Sequence, residues 1–334
     1  MLTRRTVRQP HAAPFRGARL RRTLPVLALG VTALGLALPT AVTASASPGA
    51  PASGSKDAAK VSTPAAPGGT VGGKHLTAAA EAAGLKVGNA TMGWRERGTE
   101  RVQLQQRAGQ LRFGAAQARS SSSSSTPKGV LGVDVSSYQG NIKWSTWTKK
   151  DKDFAYVKAT EGSSYKNPYF KKQYKGAAGA GMMRGAYHFA NPSGKWGSTQ
   201  ARYFVKHGGD WSADGHTLPG VLDIEYNPYG ATCYGVSKKD MVRWITSFLN
   251  EYKKLTGKAA VIYTTTDWWK QCTGNSDRYA KRNPLWIARY GTTKPGTLPK
   301  GWKAATFWQY TSSPIDQDVF GNRMKRLRVL ATTI

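Results

Sequence analysis

The chain has 334 residues, 40% of them hydrophobic, enough for a sizeable core in one large domain or two small ones. Lys and Arg number 49 against 18 Asp and Glu, a formal net charge of +31. Such a surface attracts polyanions. The candidates are nucleic acid, anionic lipid and an acidic cell-wall polymer; the sequence carries no zinc-finger spacing, no recognition-helix pattern and no aromatic-basic RNA-binding signature, and location has to choose between them.

Residues 1–46 contain seven Arg and no acid, and residues 24–38 are apolar apart from Thr32. Ala44-Ser45-Ala46 follows as a small-x-small cleavage signal. This reads as a secretory signal peptide cleaved after Ala46, with an apolar run too short for a membrane span. The mature chain is therefore expected outside the cell, with no stable membrane association.

Residues 47–75 are rich in Ala, Pro, Gly and Ser, a spacer composition. Two short helices are expected at 76–85 and 102–111, with too few large apolar residues for an independent core. The region 47–127 as a whole reads as a largely disordered linker, a wall-contacting tail or a pro-segment. Six serines, Ser120 to Ser125, then Thr126-Pro127 mark its end. The folded domain is expected over 128–334.

Eight short apolar runs follow, at 129–136, 154–160, 184–190, 221–225, 259–264, 285–288, 306–310 and 315–320. They are continuous rather than alternating, as for strands covered on both faces. The clearest helix lies between the fourth and fifth. Ser237 and Asp240 form a capping-box-like start, and Met241, Ile245, Phe248, Tyr252 and Leu255 share one face. Weaker helices are expected at 165–180 and 200–207. Alternating strands and helices over about 200 residues predict an α/β fold, a β/α barrel or a doubly wound sheet.

In a barrel, functional groups sit at the C-terminal strand ends. Asp134 ends the first run, Glu161 follows the second and His188 lies near the end of the third. Asp223 and Glu225 end the fourth, Gln309 and Tyr310 the seventh, and Asp316 and Asp318 lie in the eighth. Asp223 and Glu225 are two residues apart, so on a strand they face the same way. A carboxyl pair so placed can divide the work of an acid and a base. Aromatics, among them Tyr187, Tyr226, Tyr263, Trp286 and Tyr290, accompany these ends. Aromatic faces beside polar groups suit a glycan.

Cys233 and Cys272 follow neighbouring strands, and an even pair in a secreted chain is expected to bond. Two cysteines without a His pattern make no zinc site, and neither metal nor cofactor is expected. His188 reads as a hydrogen-bonded wall residue rather than a ligand or base.

Five motifs in order resemble the glycoside hydrolase family 25 lysozymes (N-acetylmuramidases). They are Gly132-Val133-Asp134-Val135-Ser136-Ser137-Tyr138-Gln139-Gly140, Val157-Lys158-Ala159-Thr160-Glu161-Gly162, Gly185-Ala186-Tyr187-His188-Phe189, Asp223-Ile224-Glu225 and Trp308-Gln309-Tyr310-Thr311-Ser312-Ser313. The resemblance covers about residues 129–323. It implies an irregular, flattened, TIM-like (β/α) barrel of eight strands with fewer helices, and hydrolysis of the β-1,4 bond between N-acetylmuramic acid and N-acetylglucosamine in peptidoglycan.

By the same resemblance, Glu225 matches the general acid and Asp223 its partner carboxylate, nucleophile or stabiliser. Asp134 and Asp316 match the remaining catalytic carboxylates, and Tyr187, Tyr263, Trp286 and Gln309 match groove positions. Asp318 stands where many members carry Asn, and the loop after Ser313 is short. Two alternatives accompany this reading: a chitinase-like N-acetylglucosaminidase and a catalytically inactive wall-binding module. The expected partners are peptidoglycan and anionic wall polymers rather than nucleic acid, met by a monomer.

Overall fold

Eight strands close into a barrel in the computed structural model, which describes residues 75–87, 90–96 and 126–333. In chain order they are β1 (Val130–Val135), β2 (Lys152–Glu161), β4 (Met183–Phe189), β5 (Val221–Asp223), β6 (Val261–Thr264), β7 (Leu285–Ala288), β8 (Phe307–Thr311) and β9 (Gln317–Phe320). A two-residue strand, β3 (Tyr165–Lys166), pairs antiparallel with the end of β2, outside the ring. Neighbours from β1 through β2 and β4 to β8 run parallel. β9 closes the ring antiparallel to both β8 and β1.

The expected barrel is therefore present, but its last strand reverses the all-parallel pattern. Its entry end, not its exit, lies with the C-terminal ends of the others. The fourth strand stops at Asp223, and the expected helix at 165–180 begins as β3 and is helical only over Phe170–Gly179.

Alternation sorts the strand residues between two environments. Phe154, Tyr156, Val221, Val261, Trp286, Phe307 and Phe320 fill the barrel interior. Ring centroids there lie 5.0 Å apart for Tyr156–Trp286, 5.5 Å for Phe154–Phe307 and 5.2 Å for Phe307–Phe320. Gly132 and Gly185 make room for the Phe154 and Tyr156 rings, which leave no space for a Cβ at either position.

The alternate positions, Leu222, Ile224, Ile262, Leu285 and Ile287, pack outward with the helical layer. That layer includes α1 (Ala78–Ala82), α2 (Ser145–Thr148), α3 (Phe170–Gly179), α4 (Gly197–Phe204), α5 (Lys238–Thr256), α6 (Thr266–Thr273) and α7 (Met324–Thr332). Ser237 caps α5, and Gly257 ends it at φ 73°. Its buried face is Met241, Trp244, Ile245, Phe248, Leu249 and Tyr252. Each large apolar side chain so buried contributes roughly 1.5–3 kcal/mol.

The helix expected at 76–85 corresponds to α1 and is not isolated. Ala80, Leu85, Ala90, Met92 and Trp94 are all buried. The Thr77 amide donates to the Pro228 carbonyl at 2.8 Å. The signal region and the helix expected at 102–111 lie outside the described residues. No described helix is long and apolar enough to cross a membrane.

Candidate active site

β5 carries Val221 and Asp223 on its inner phase, and the backbone just past its end places Glu225 beside them. Asp223 and Glu225 are both 0% exposed. Neither Asp223 oxygen accepts a well-formed hydrogen bond from a donor among the described residues. Its near partner is the Glu225 carboxyl.

Burial raises both carboxyls well above the ordinary range. The negative charge of Asp223 lifts Glu225 further, and hydrogen bonding within the pair raises Glu225 while lowering Asp223. Lys158 also lowers Asp223. Desolvation thus favours the protonated form of both carboxyls, while the Lys158 charge opposes this at Asp223 and the Asp223 charge adds to it at Glu225.

The other carboxylates arrive from the seam of β1 and β9. The Asp134 amide donates to the Asp316 carbonyl at 3.2 Å. Tyr187 is buried among Asp134, Asp223 and Asp316, each of which raises its hydroxyl's pKa after burial. Asp318 is 0% exposed and is raised well above the usual value by burial and by Asp316. The four candidate catalytic carboxylates therefore share one electrostatic neighbourhood at one end of the barrel, with Asp318 beneath them.

Gln309 ties this end together. Its Nε2 donates to Asp134 Oδ2 at 2.5 Å, and its Oε1 accepts from the Tyr263 hydroxyl at 2.5 Å and the Tyr290 hydroxyl at 2.6 Å. The candidate groove residues separate into two depths. Trp286 is buried floor, with its ring 5.4 Å from Tyr263 and 5.0 Å from Tyr156. Tyr226 lies nearer the rim, its hydroxyl donating to Asp267 Oδ2 at 2.9 Å.

One buried charge lies outside the candidate set read from the sequence. Lys158 is 0% exposed and pairs with Glu161 Oε2 at 2.6 Å. Tyr229 donates to the other Glu161 oxygen. The signal was present: Phe154, Tyr156 and Lys158 share the inner phase of one strand, so a cation there has to face the barrel's carboxylates.

The rim is not open. The Gly93 amide donates to Glu225 Oε1 at 2.7 Å, and the Trp94 indole donates to the Tyr226 carbonyl at 2.9 Å. The Arg95 guanidinium stacks 4.2 Å from the Tyr226 ring centre. Lys158 Nζ donates to the Ala90 carbonyl. Met92 packs with Tyr187, Tyr263, Trp286 and Tyr290. Chemistry and open space do not coincide: a cavity of about 840 Å³, lined by Asn283, Pro284, Trp302 and Phe320 among others, opens at the opposite end of β7 and β8.

Two further expectations have a structural answer. His188 points outward, bonded to Thr160 Oγ1 at 2.8 Å and Gln200 Oε1 at 3.0 Å, with its ring stacked 5.2 Å from Phe248. Burial lowers its pKa to about 3, so it is a neutral wall residue. Cys233 and Cys272 form a disulfide with Cα atoms 5.3 Å apart, and Cys272 lies in α6. Among the described residues, no group of three or more His, Cys, Asp or Glu could hold a metal ion.

Comparison with known proteins finds relatives of the barrel. The model of the glycosyl hydrolases family 25 covers residues 133–319. Lysozyme M1 of Streptomyces globisporus is 47% identical over 211 residues, 61% of this chain and 71% of that protein. The N,O-diacetylmuramidase of Chalaropsis sp is 45% identical over 183 residues, 54% of this chain and 87% of its own length. Among solved structures, a bacterial lysozyme from Streptomyces coelicolor aligns with a TM-score of 0.61 at 46% identity, over 62% of this chain and 99% of that one. The muramidase of Acremonium alcalophilum aligns at 0.60 and 51%, over 61% and 100%. With these carboxylates at the C-terminal end of a closed eight-stranded barrel, the chain belongs to the glycosyl hydrolases of family 25.

Proposed function

We propose that this glycoside hydrolase is a secreted muramidase that cuts the β-1,4 bond between N-acetylmuramic acid and N-acetylglucosamine in peptidoglycan. Glu225 acts as general acid, and Asp223 supports the developing positive charge at the anomeric carbon. The observation that carries this reading is the buried pair itself: two carboxyls two residues apart at the end of one barrel strand, both fully buried, with the Lys158 ammonium favouring charge on Asp223.

The chemistry follows from that division. Protonated Glu225 delivers its proton to the glycosidic oxygen as the bond to the anomeric carbon breaks. Asp223 then meets that carbon, either bonding to it or orienting the substrate's own 2-acetamido oxygen to do so. Water, deprotonated by Glu225, completes hydrolysis with the anomeric configuration retained. Asp134, held by Gln309, and Asp316 sustain the negative field that favours the oxocarbenium-like centre. Tyr187, Tyr226, Tyr263 and Gln309 offer the apolar faces and hydroxyl partners that sugar rings need, above the Trp286 floor.

The basic charge suits an enzyme working on a wall that carries anionic polymers, and wall binding should weaken with salt. Purified peptidoglycan, with chitin as control, tests the substrate. Release of reducing ends from peptidoglycan alone, lost in Glu225→Gln, supports the reading. Equal turnover of chitin, or full activity in Glu225→Gln, overturns it.

A further inference from the structure

The residues covering the carboxylates belong to the same chain and lie outside the barrel that the family shares. The backbone runs Ala90-Thr91-Met92-Gly93-Trp94 along the groove, and every one of these five residues is buried. Four contacts hold it at the chemical groups themselves. Gly93 donates to Glu225, Trp94 donates to the Tyr226 carbonyl, Lys158 donates to the Ala90 carbonyl, and Met92 lies against Tyr187 and Tyr263. Behind them, Ala80, Ala83 and Leu85 dock on the outer core, so the segment is anchored as well as inserted.

A glycan running over Glu225 needs this space. Its glycosidic oxygen has to approach the Glu225 carboxyl where the Gly93 amide sits. Its sugar faces need the Tyr226 ring that Arg95 covers. Gly93 is the tightest point: its φ is 63°, and a Cβ there would lie 2.6 Å from Gln309 Oε1 and 2.8 Å from the Tyr263 hydroxyl. Only glycine threads a backbone this closely past the groove's polar floor.

We propose that residues 75–87 and 90–96 form an intramolecular inhibitor that occupies the substrate groove, so that the intact chain is a latent enzyme activated when this segment is withdrawn. The proposal rests on the muramidase reading of the same site. A covalently tethered ligand faces its groove at an effective concentration on the order of millimolar, so even modest contacts keep the groove filled. Withdrawal exposes Glu225, frees the Lys158 ammonium from Ala90 and opens the Tyr226 face together, because one stretch of backbone blocks all three.

The test uses the whole chain. A recognition site for a sequence-specific protease is placed within Ser120–Ser125, and hydrolysis of purified peptidoglycan is measured before and after cutting and separation of the N-terminal fragment. Hydrolysis should rise roughly tenfold or more. Two uncut variants should show the same rise: Gly93→Val, which no longer fits the groove, and Leu85→Asp, which loosens the anchor without touching the groove. Equal activity of the cut and intact chains, with neither variant gaining, overturns the inhibition while leaving the muramidase reading intact. A fall in activity on cutting also overturns it, by making the segment part of the working site. No turnover by the cut, separated chain overturns both.

Discussion

The Gly93 amide lies 2.7 Å from Glu225 Oε1, joining a segment from before the barrel to the residue placed as its acid. The amide donates and the carboxyl oxygen accepts, so the contact occupies one oxygen of the group that the acid role needs free. In the intact protein, amide hydrogen exchange at Gly93 should be slow, as expected of a buried, bonded group. Rapid exchange at Gly93 would show that the contact does not persist in solution.

Substituting Glu225→Gln keeps an acceptor for Gly93 and a near-identical shape but removes the transferable proton. Hydrolysis should fall roughly 10²–10⁴-fold, the usual contribution of a general acid, with wall binding retained. Initial rates and a wall co-sedimentation assay measure the two separately. A loss of binding in place of turnover would move Glu225 from chemistry to recognition.

The rate should depend on pH in a bell. Glu225 works protonated, and burial holds its pKa well above the ordinary carboxylate range. Activity should therefore persist above that range and be lost as pH rises through the Glu225 titration. Asp223 works ionised, so activity should also be lost as pH falls through its own titration. Since the pair is coupled, the two limbs report the pair. A pH–rate profile on soluble glycan checks this; a rate already lost as pH rises through the ordinary carboxylate range would contradict the acid role.

Asp318 lies in the interior with a strongly raised pKa, caused first by burial and then by Asp316. Relative to the unfolded chain, the native state holds this proton more tightly. The associated stability is complete below the ordinary aspartate pKa of about 3.9 and is lost as pH rises through the folded value. Asp318→Asn removes that loss. Its melting temperature should match the parent at low pH and exceed it increasingly toward neutrality. A constant difference across pH would refute the ionisation argument.

The Cys233–Cys272 bridge closes a loop of sequence separation 39. In the chain-entropy model it contributes roughly 4 kcal/mol. Cys233→Ser with Cys272→Ser should lower stability by about that amount in denaturant titration, with the muramidase activity of the folded protein largely kept. An unchanged midpoint would assign the bridge no stabilising role.

The strands were legible because barrel strands read as short apolar runs, and all eight expected runs begin within two residues of the start of an observed strand. The eighth, β9, had the right place but could not reveal its direction, which depends on neighbours rather than on its own residues. Asp223 and Glu225 were found by alternation, yet β5 stops at Asp223; the backbone past the strand still returns Glu225 to the same side. α6 and α7 lacked a long periodic face and escaped notice.

Residues 75–87 and 90–96 were hardest to read for a physical reason. Ala80, Leu85, Met92 and Trp94 are too few and too widely spaced to make a core of their own. They are buried only because the barrel offers a groove, a property of the partner surface that local composition does not record. Lys158 was missed by reading its strand as an apolar run instead of by phase.

The most direct measurement is the identity of the sugar at the new reducing ends after the cut chain digests purified peptidoglycan. Hydrolysis of the proposed bond leaves N-acetylmuramic acid at every new reducing end, released first in the β configuration, with no such product from Glu225→Gln. New ends carrying N-acetylglucosamine would contradict the account.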